Sequence, residues 1–114
     1  MSLPPIQALS PDVCATAQLD AAAMAALAQD GFKSVINNRP DHEGGPDQPT
    51  STALESAAIA AGLVYVYLPV APGYQSPEEA AQFRHLLDTL PRPILAFCRT
   101  GTRSGKLFQA AMSI

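Results

Sequence analysis

The stretch from Ile94 to Ser104, ILAFCRTGTRS, constrains this chain more than any other. A short apolar strand stops at Cys98, one glycine bends the loop that follows, and Arg103 and Ser104 open a helix. A strand that passes to a helix through so tight a loop lays that helix back against a sheet. The backbone N–H groups at such a junction form an anion-binding concavity, and the helix dipole adds partial positive charge. Arg99 and Arg103 strengthen that field, and a cysteine placed in it favours a nucleophilic thiolate. The alternative is that Cys98 is a small buried hydrophobe ending a core strand. Two arginines and a glycine crowding one thiol favour the chemical reading.

The remaining segments alternate between strands and helices. Ile6–Leu9 and Val13–Thr16, separated by Ser10-Pro11-Asp12, read as a short hairpin or edge pair. Asp20 caps an alanine-rich helix that Gly31 ends. Residues 33–37 (KSVIN) form a buried strand, and the loop NRPDHEGGPDQP after it is too rich in glycine and proline for regular structure. A helix over residues 51–61 stops at Gly62. Residues 64–68 (VYVYL) form the next strand, followed by the loop PVAPGYQ. Ser76-Pro77-Glu78-Glu79 is a helix start with a serine cap, an early proline and a glutamate three residues after the cap. That helix carries Phe83, Leu86, Leu87 and Leu90 on one face and ends at Pro91. Strands separated by helices predict a parallel sheet covered on both faces, with ligands beyond the carboxyl ends of its strands. Three loops meet there: Asn37–Pro49, Pro69–Gln75 and Cys98–Arg103.

Composition narrows the function classes. At 114 residues the chain fits one domain, and 47% hydrophobic against 15% charged residues indicates a packed core. A net charge of −3 and the lack of a basic face argue against nucleic-acid or anionic-membrane partners. Arg84, Arg92, Arg99, Arg103 and Lys106 nonetheless bias the C-terminal third toward a small anionic ligand. Cys14 and Cys98 are the only cysteines, so no metal cluster and no cofactor are expected. No segment of MSLPPIQAL reads as a secretory signal and no apolar run has the length of a membrane span, so a cytoplasmic protein with reduced thiols is expected.

Three segments together, INNRPDHEGGPDQP, YVYLPVAPGYQSPEEAAQF and PILAFCRTGTRS, resemble a bacterial family, the beta-lactamase hydrolase-like protein, phosphatase-like domain. The resemblance runs from about Ile6 to Ala110. It implies an α/β parallel-sheet sandwich of the cysteine-phosphatase-like type, with a short N-terminal strand pair and Cys98 as nucleophile. It also implies a partner, since the family occurs fused to metallo-hydrolases of the persulfide dioxygenase type.

Loop chemistry separates the reactions open to such a fold. Cysteine-dependent phosphatases place five residues between cysteine and arginine, whereas here four separate Cys98 from Arg103. The Arg103-Ser104 pair typical of phosphatases is present. CRTGTR has the length of a rhodanese loop, and a smaller ring of amides suits one extra sulfur better than a phosphoryl group. The loop PVAPGYQSPEE also lacks the aspartate that protonates a leaving alkoxide in phosphatases. Loss of a general acid costs about 10² to 10⁴ in rate, whereas sulfite leaves thiosulfate without one. The expected function is therefore sulfur transfer through a Cys98 persulfide. A phosphatase, or a non-catalytic thiol that senses or carries reactive sulfur, is the alternative. In all three, Cys98 and Arg103 are the central residues. Arg99, Thr100, Gly101, Thr102 and Ser104 complete the anion loop, with Ser104 either a donor or only a helix cap. Asn38, Arg39, Asp41 and Tyr74 are candidate pocket residues, although Asn38 and Arg39 more commonly satisfy loop carbonyls in such a place. Asp41 and His42 are candidate substitutes for the absent acid, although polar residues in such loops more often form turns.

Overall fold

In the computed structural model, residues 3–114 are described. Met1 and Ser2, the start of the stretch read for a secretory signal, lie outside them. Five strands form one sheet: β1 (Ile6–Ser10), β2 (Val13–Thr16), β3 (Ser34–Asn37), β4 (Val64–Tyr67) and β5 (Ile94–Phe97). Four helices accompany them: α1 (Ala23–Gln29), α2 (Ser51–Ala60), α3 (Pro77–Thr89) and α4 (Thr102–Met112). The spatial strand order is β1-β2-β5-β3-β4. β1 is antiparallel to β2, and the other neighbouring pairs are parallel. The expected strand pair and parallel sheet are both present, with β1 as the antiparallel edge.

β5 is central, and side chains on successive residues of a strand face opposite sides. Leu95 and Phe97 therefore join Leu19, Met24, Leu27, Leu54 and Ala58 in the core on the α1–α2 side. Ile94 and Ala96 join Val13, Phe83, Leu87, Leu107 and Ala111 in the core on the α3–α4 side. Every residue of β5 is buried, as expected for a strand covered on both faces.

The helix starts are set locally. The Ser76 hydroxyl accepts from Glu79 N at 3.1 Å while the Glu79 carboxylate accepts from Ser76 N at 2.8 Å, a reciprocal cap. Thr50 caps α2 by accepting from Ala53 N. Asp20 accepts from Ala23 N at 2.9 Å as expected, but α1 proper starts three residues later, at Ala23. No helix among the described residues is long and apolar enough to cross a membrane.

Phe83 is fully buried between sheet and helices. Phe83→Ala is expected to lower unfolding free energy by about 3 to 5 kcal/mol, measured by urea denaturation.

Candidate active site

The four parallel strands end level with one another. Phe97 pairs with Thr16 on one side and Asn37 on the other, and Asn37 pairs with Tyr67. The residues that follow therefore emerge together at the carboxyl edge, as the position of β5 between β2 and β3 requires. Asn38 ties these exits to one another. Its N–H donates to Phe97 O at 2.8 Å, its Nδ2 to Leu68 O at 3.0 Å, and its carbonyl accepts from Val70 N at 3.0 Å. Its Oδ1 accepts the Ser104 hydroxyl at 2.8 Å.

Cys98 is the first residue beyond β5 and is buried. The loop turns back beneath it, so that Gly101 N donates to Cys98 Sγ at 3.1 Å. Gly101 is the residue that permits the turn. Its φ is 93°, and a Cβ there would lie 3.3 Å from the Thr16 carbonyl. The first bond of α4 runs from Gly105 N to Gly101 O. The amides ahead of it have no partner within the helix, and that of Gly101 meets the thiol. Cys98, Arg99, Thr100, Thr102, Arg103 and Lys106 line a cavity of about 220 Å³ closed by Pro72, Gly73 and Gln75.

Arg103 reaches across the sheet end with its side chain 9% exposed. Nη1 donates to Val70 O at 3.0 Å and to Glu43 Oε2 at 3.1 Å, and Nη2 donates to Glu43 Oε1 at 3.0 Å. A guanidinium has five N–H donors. These contacts use the outer end, and neither Nε nor the second Nη2 hydrogen meets an acceptor among the described residues. Those two form a planar fork suited to an oxyanion. Glu43 Oε1 also accepts from Arg39 Nε at 2.9 Å, so one carboxylate joins two guanidinium groups. Burial pushes the Glu43 carboxyl up, but hydrogen bonds from Arg103 and Arg39, with their charges, hold it below its usual value.

Several sequence-derived expectations are corrected here. Ser104 neither caps α4, whose N-cap is Gly101, nor meets the thiol; its hydroxyl is committed to Asn38. Asn38 takes the other of its two expected parts, donating to the Leu68 carbonyl as a bracket between loops, and lines neither cavity. Asp41 turns away toward α2, where its Oδ1 accepts from Ser51 N at 2.7 Å. Neither Asp41 nor His42 lines the cavity around the thiol. Tyr74 is 68% exposed; its neighbours Gly73 and Gln75 form the wall instead. Thr100 and Thr102 do border the cavity, with their hydroxyls 3.3 Å apart. Arg39 lines an adjoining cavity with Glu43 and Arg99. Glu43 is not among the sequence candidates, and Lys106 enters there only as part of the positive bias of the C-terminal third. The one local trace of Glu43's part is its four-residue spacing from Arg39.

The second cysteine, Cys14, sits within β2. Burial, and secondarily the charge of Asp12, push its thiol above the usual value, which leaves it a poor nucleophile. Tyr65 is also raised by burial, against its hydrogen bonds with Ser51 and Asn37, and stays a neutral strut under α2.

Comparison with known proteins agrees with this fold. The family described as beta-lactamase hydrolase-like protein, phosphatase-like domain, matches residues 5–113. A beta-lactamase hydrolase-like protein of Agrobacterium fabrum is 39% identical over 82 residues, covering 72% of this chain and 19% of that protein. A relative from Xylella fastidiosa is 36% identical over the same span. The chain thus matches about a fifth of the length of these curated relatives. A Neisseria meningitidis protein described as a candidate phosphatase has a TM-score of 0.83 at 33% identity, covering 90% of this chain and 72% of that one. A variant of P. aeruginosa TpbA in complex with phosphotyrosine has a TM-score of 0.64 at 18% identity, covering 90% of this chain and 58% of that one, a likeness of fold alone.

Two outcomes follow from this geometry. Gly101→Ala is expected to destabilise the fold by about 1 to 2 kcal/mol in thermal unfolding, because alanine is strained at positive φ. Glu43→Gln tests the carboxylate. A lowered folded value means that its pairing stabilises the fold at neutral pH and is lost as pH falls below the ordinary value of 4.5. Wild type is therefore expected to exceed Glu43→Gln in melting temperature at pH 7, with the gap closing as pH drops through that range.

Proposed function

The chain belongs to the beta-lactamase hydrolase-like protein, phosphatase-like domain family, and from that premise we propose that it is a cysteine-dependent phosphatase with Cys98 as nucleophile. The observation that carries the reading is that Cys98 and Arg103, whose Nε and second Nη2 hydrogen are unused, line one cavity together with Arg99, Thr100 and Thr102. In the first step Cys98 Sγ bonds to phosphorus, and the ester P–O bond breaks with its electron pair on the leaving oxygen. The Arg103 fork and the loop amides not already engaged, those of Arg99, Thr100 and Arg103, hold the equatorial oxygens, where charge develops, while Gly101 N stays on the thiol. Water then forms a new P–O bond as the S–P bond breaks, releasing phosphate and the thiolate.

Among the described residues, no carboxylic acid lines the Cys98 cavity to serve the leaving oxygen. Glu79 is fixed in the α3 cap, and Glu43 is held ionised between two arginines. Substrates whose leaving groups are already stable as anions, such as aryl phosphates, therefore suit the site, since a missing acid costs alkyl esters about 10² to 10⁴ in rate.

Loop length favours a second reading, sulfur transfer. Four residues between Cys98 and Arg103 make a smaller ring than a phosphatase uses. Here the thiolate bonds to the outer sulfur of thiosulfate, the S–S bond breaks, and sulfite leaves with the electron pair. An acceptor thiol or cyanide then takes the sulfur from Cys98.

Reduced protein incubated with thiosulfate and followed by intact mass spectrometry, beside p-nitrophenyl phosphate turnover, decides between them. Phosphate release that Cys98→Ser abolishes, with no sulfur adduct, is the expected result. A gain of one sulfur on Cys98 without phosphate release overturns the phosphatase reading in favour of sulfur transfer. Neither signal overturns both and leaves a thiol that senses or carries sulfur.

A further inference from the structure

Beyond the reacting group, the site has room and charge for a second one. A cavity of about 450 Å³ adjoins the Cys98 cavity and shares Pro72, Arg99 and Arg103 with it. Arg39, Glu43 and Gly44 complete its wall. Arg39 is 8% exposed and braced on two sides, with Nε on Glu43 and Nη1 on Gln18 Oε1 at 3.1 Å. Its Nη2 meets no acceptor among the described residues. No fully buried side-chain nitrogen or oxygen among those residues lacks a partner, so Nη2 keeps access to solvent, and Arg39 lines the cavity. Gly44 makes the placement possible, because a Cβ there would lie 2.6 Å from Nη2. Arg99 spans the boundary between the two cavities and forms no ion pair among the described residues.

The charge balance points the same way. Four of the chain's seven cations, Arg39, Arg99, Arg103 and Lys106, line these two cavities against one carboxylate, in a chain whose net charge is −3. Glu43, whose oxygens accept from both Arg39 and Arg103, offsets one of these charges and leaves an excess of positive charge around the two cavities. A single phosphoryl group uses the Arg103 fork and the loop amides, and leaves Arg39 Nη2 and Arg99 without a partner.

We propose that the ligand carries a second oxyanion, seated between Arg39 and Arg99 while its reacting group lies over Cys98. The inference rests on the reading that Cys98 is where the reacting group binds, but not on which reaction follows. The second group is a phosphate or a carboxylate a few bonds from the first. Planar guanidinium donors recognise both in the same way.

Calorimetric titration of the reduced protein with inorganic phosphate and with pyrophosphate tests this. Pyrophosphate is expected to bind more tightly than phosphate. Arg39→Met and Arg99→Met are each expected to reduce that preference by about tenfold, the effect of a lost charge-assisted contact. Arg84→Met, which removes a charge from α3 outside both cavities, is expected to keep it. Should Arg39→Met fail to fold, the exposed Arg99→Met carries the test. An unchanged preference in the folded variants overturns the proposal, as does an equal loss in Arg84→Met. Equal weakening of both anions also overturns it, and would make Arg39 only a support for Glu43. Turnover of p-nitrophenyl phosphate on the same preparations separates the two readings. Turnover without the preference refutes the second subsite alone, and the preference without turnover refutes the phosphatase alone.

Discussion

Arg103 poses the problem that the rest of the site is arranged to solve. A guanidinium nearly out of solvent is costly unless it is paired and hydrogen-bonded. It is useful for catalysis only if the pairing leaves some donors unused. Glu43 meets both conditions by gripping the outer end, while Val70 O takes the remaining Nη1 hydrogen. The side edge, Nε and one Nη2 hydrogen, is then aimed and neutralised without being consumed. Pre-aimed donors of this kind need little reorganisation when charge develops on a ligand.

That pairing in turn dictates the backbone around it. For Glu43 to reach Arg103, the loop after β3 must fold back over the sheet end, and Asn38 fixes its first residue there with bonds to three different segments. Gly44 suits its place because a Cβ there would meet the Arg39 guanidinium that Glu43 and Gln18 hold. Asp41 anchors the outer part of the loop to the start of α2, and Tyr67 donates no side-chain support to the thiol but accepts from Asp41 N. Polar residues that look like catalytic candidates in the sequence are thus mostly spent on holding one loop.

The regular elements were legible because their signals are local. Ser76-Pro77-Glu78-Glu79, Gly62 and the apolar run of β5 each depend on neighbours a few residues away, and the strand-to-helix turn at Gly101 is equally local. The path of the loop after β3 was not legible. Glu43 and Arg103 are joined across 60 residues, and a glutamate in a glycine- and proline-rich loop resembles any other turn former. Asp41 misled for the same reason, since its partner at Ser51 is defined by the fold and not by spacing. Ser104 was recognisable as part of the anion loop, but not as a bond to Asn38, which required knowing that β3 and β5 are neighbours.

The absent acid and the second cavity bear on the same question of where a reaction here draws its driving force. With no carboxylic acid to stabilise the departing atom, the ligand must supply a leaving group that tolerates negative charge. This holds equally for an aryl phosphate and for the sulfite of thiosulfate. What the protein can add is orientation, and binding energy from groups remote from the reacting centre can be spent on it. A second oxyanion against Arg39 and Arg99 would provide that energy a short distance from Cys98. Arg39 and Arg103 share the Glu43 carboxylate, so the two ends of such a ligand would be held by one connected set of charges.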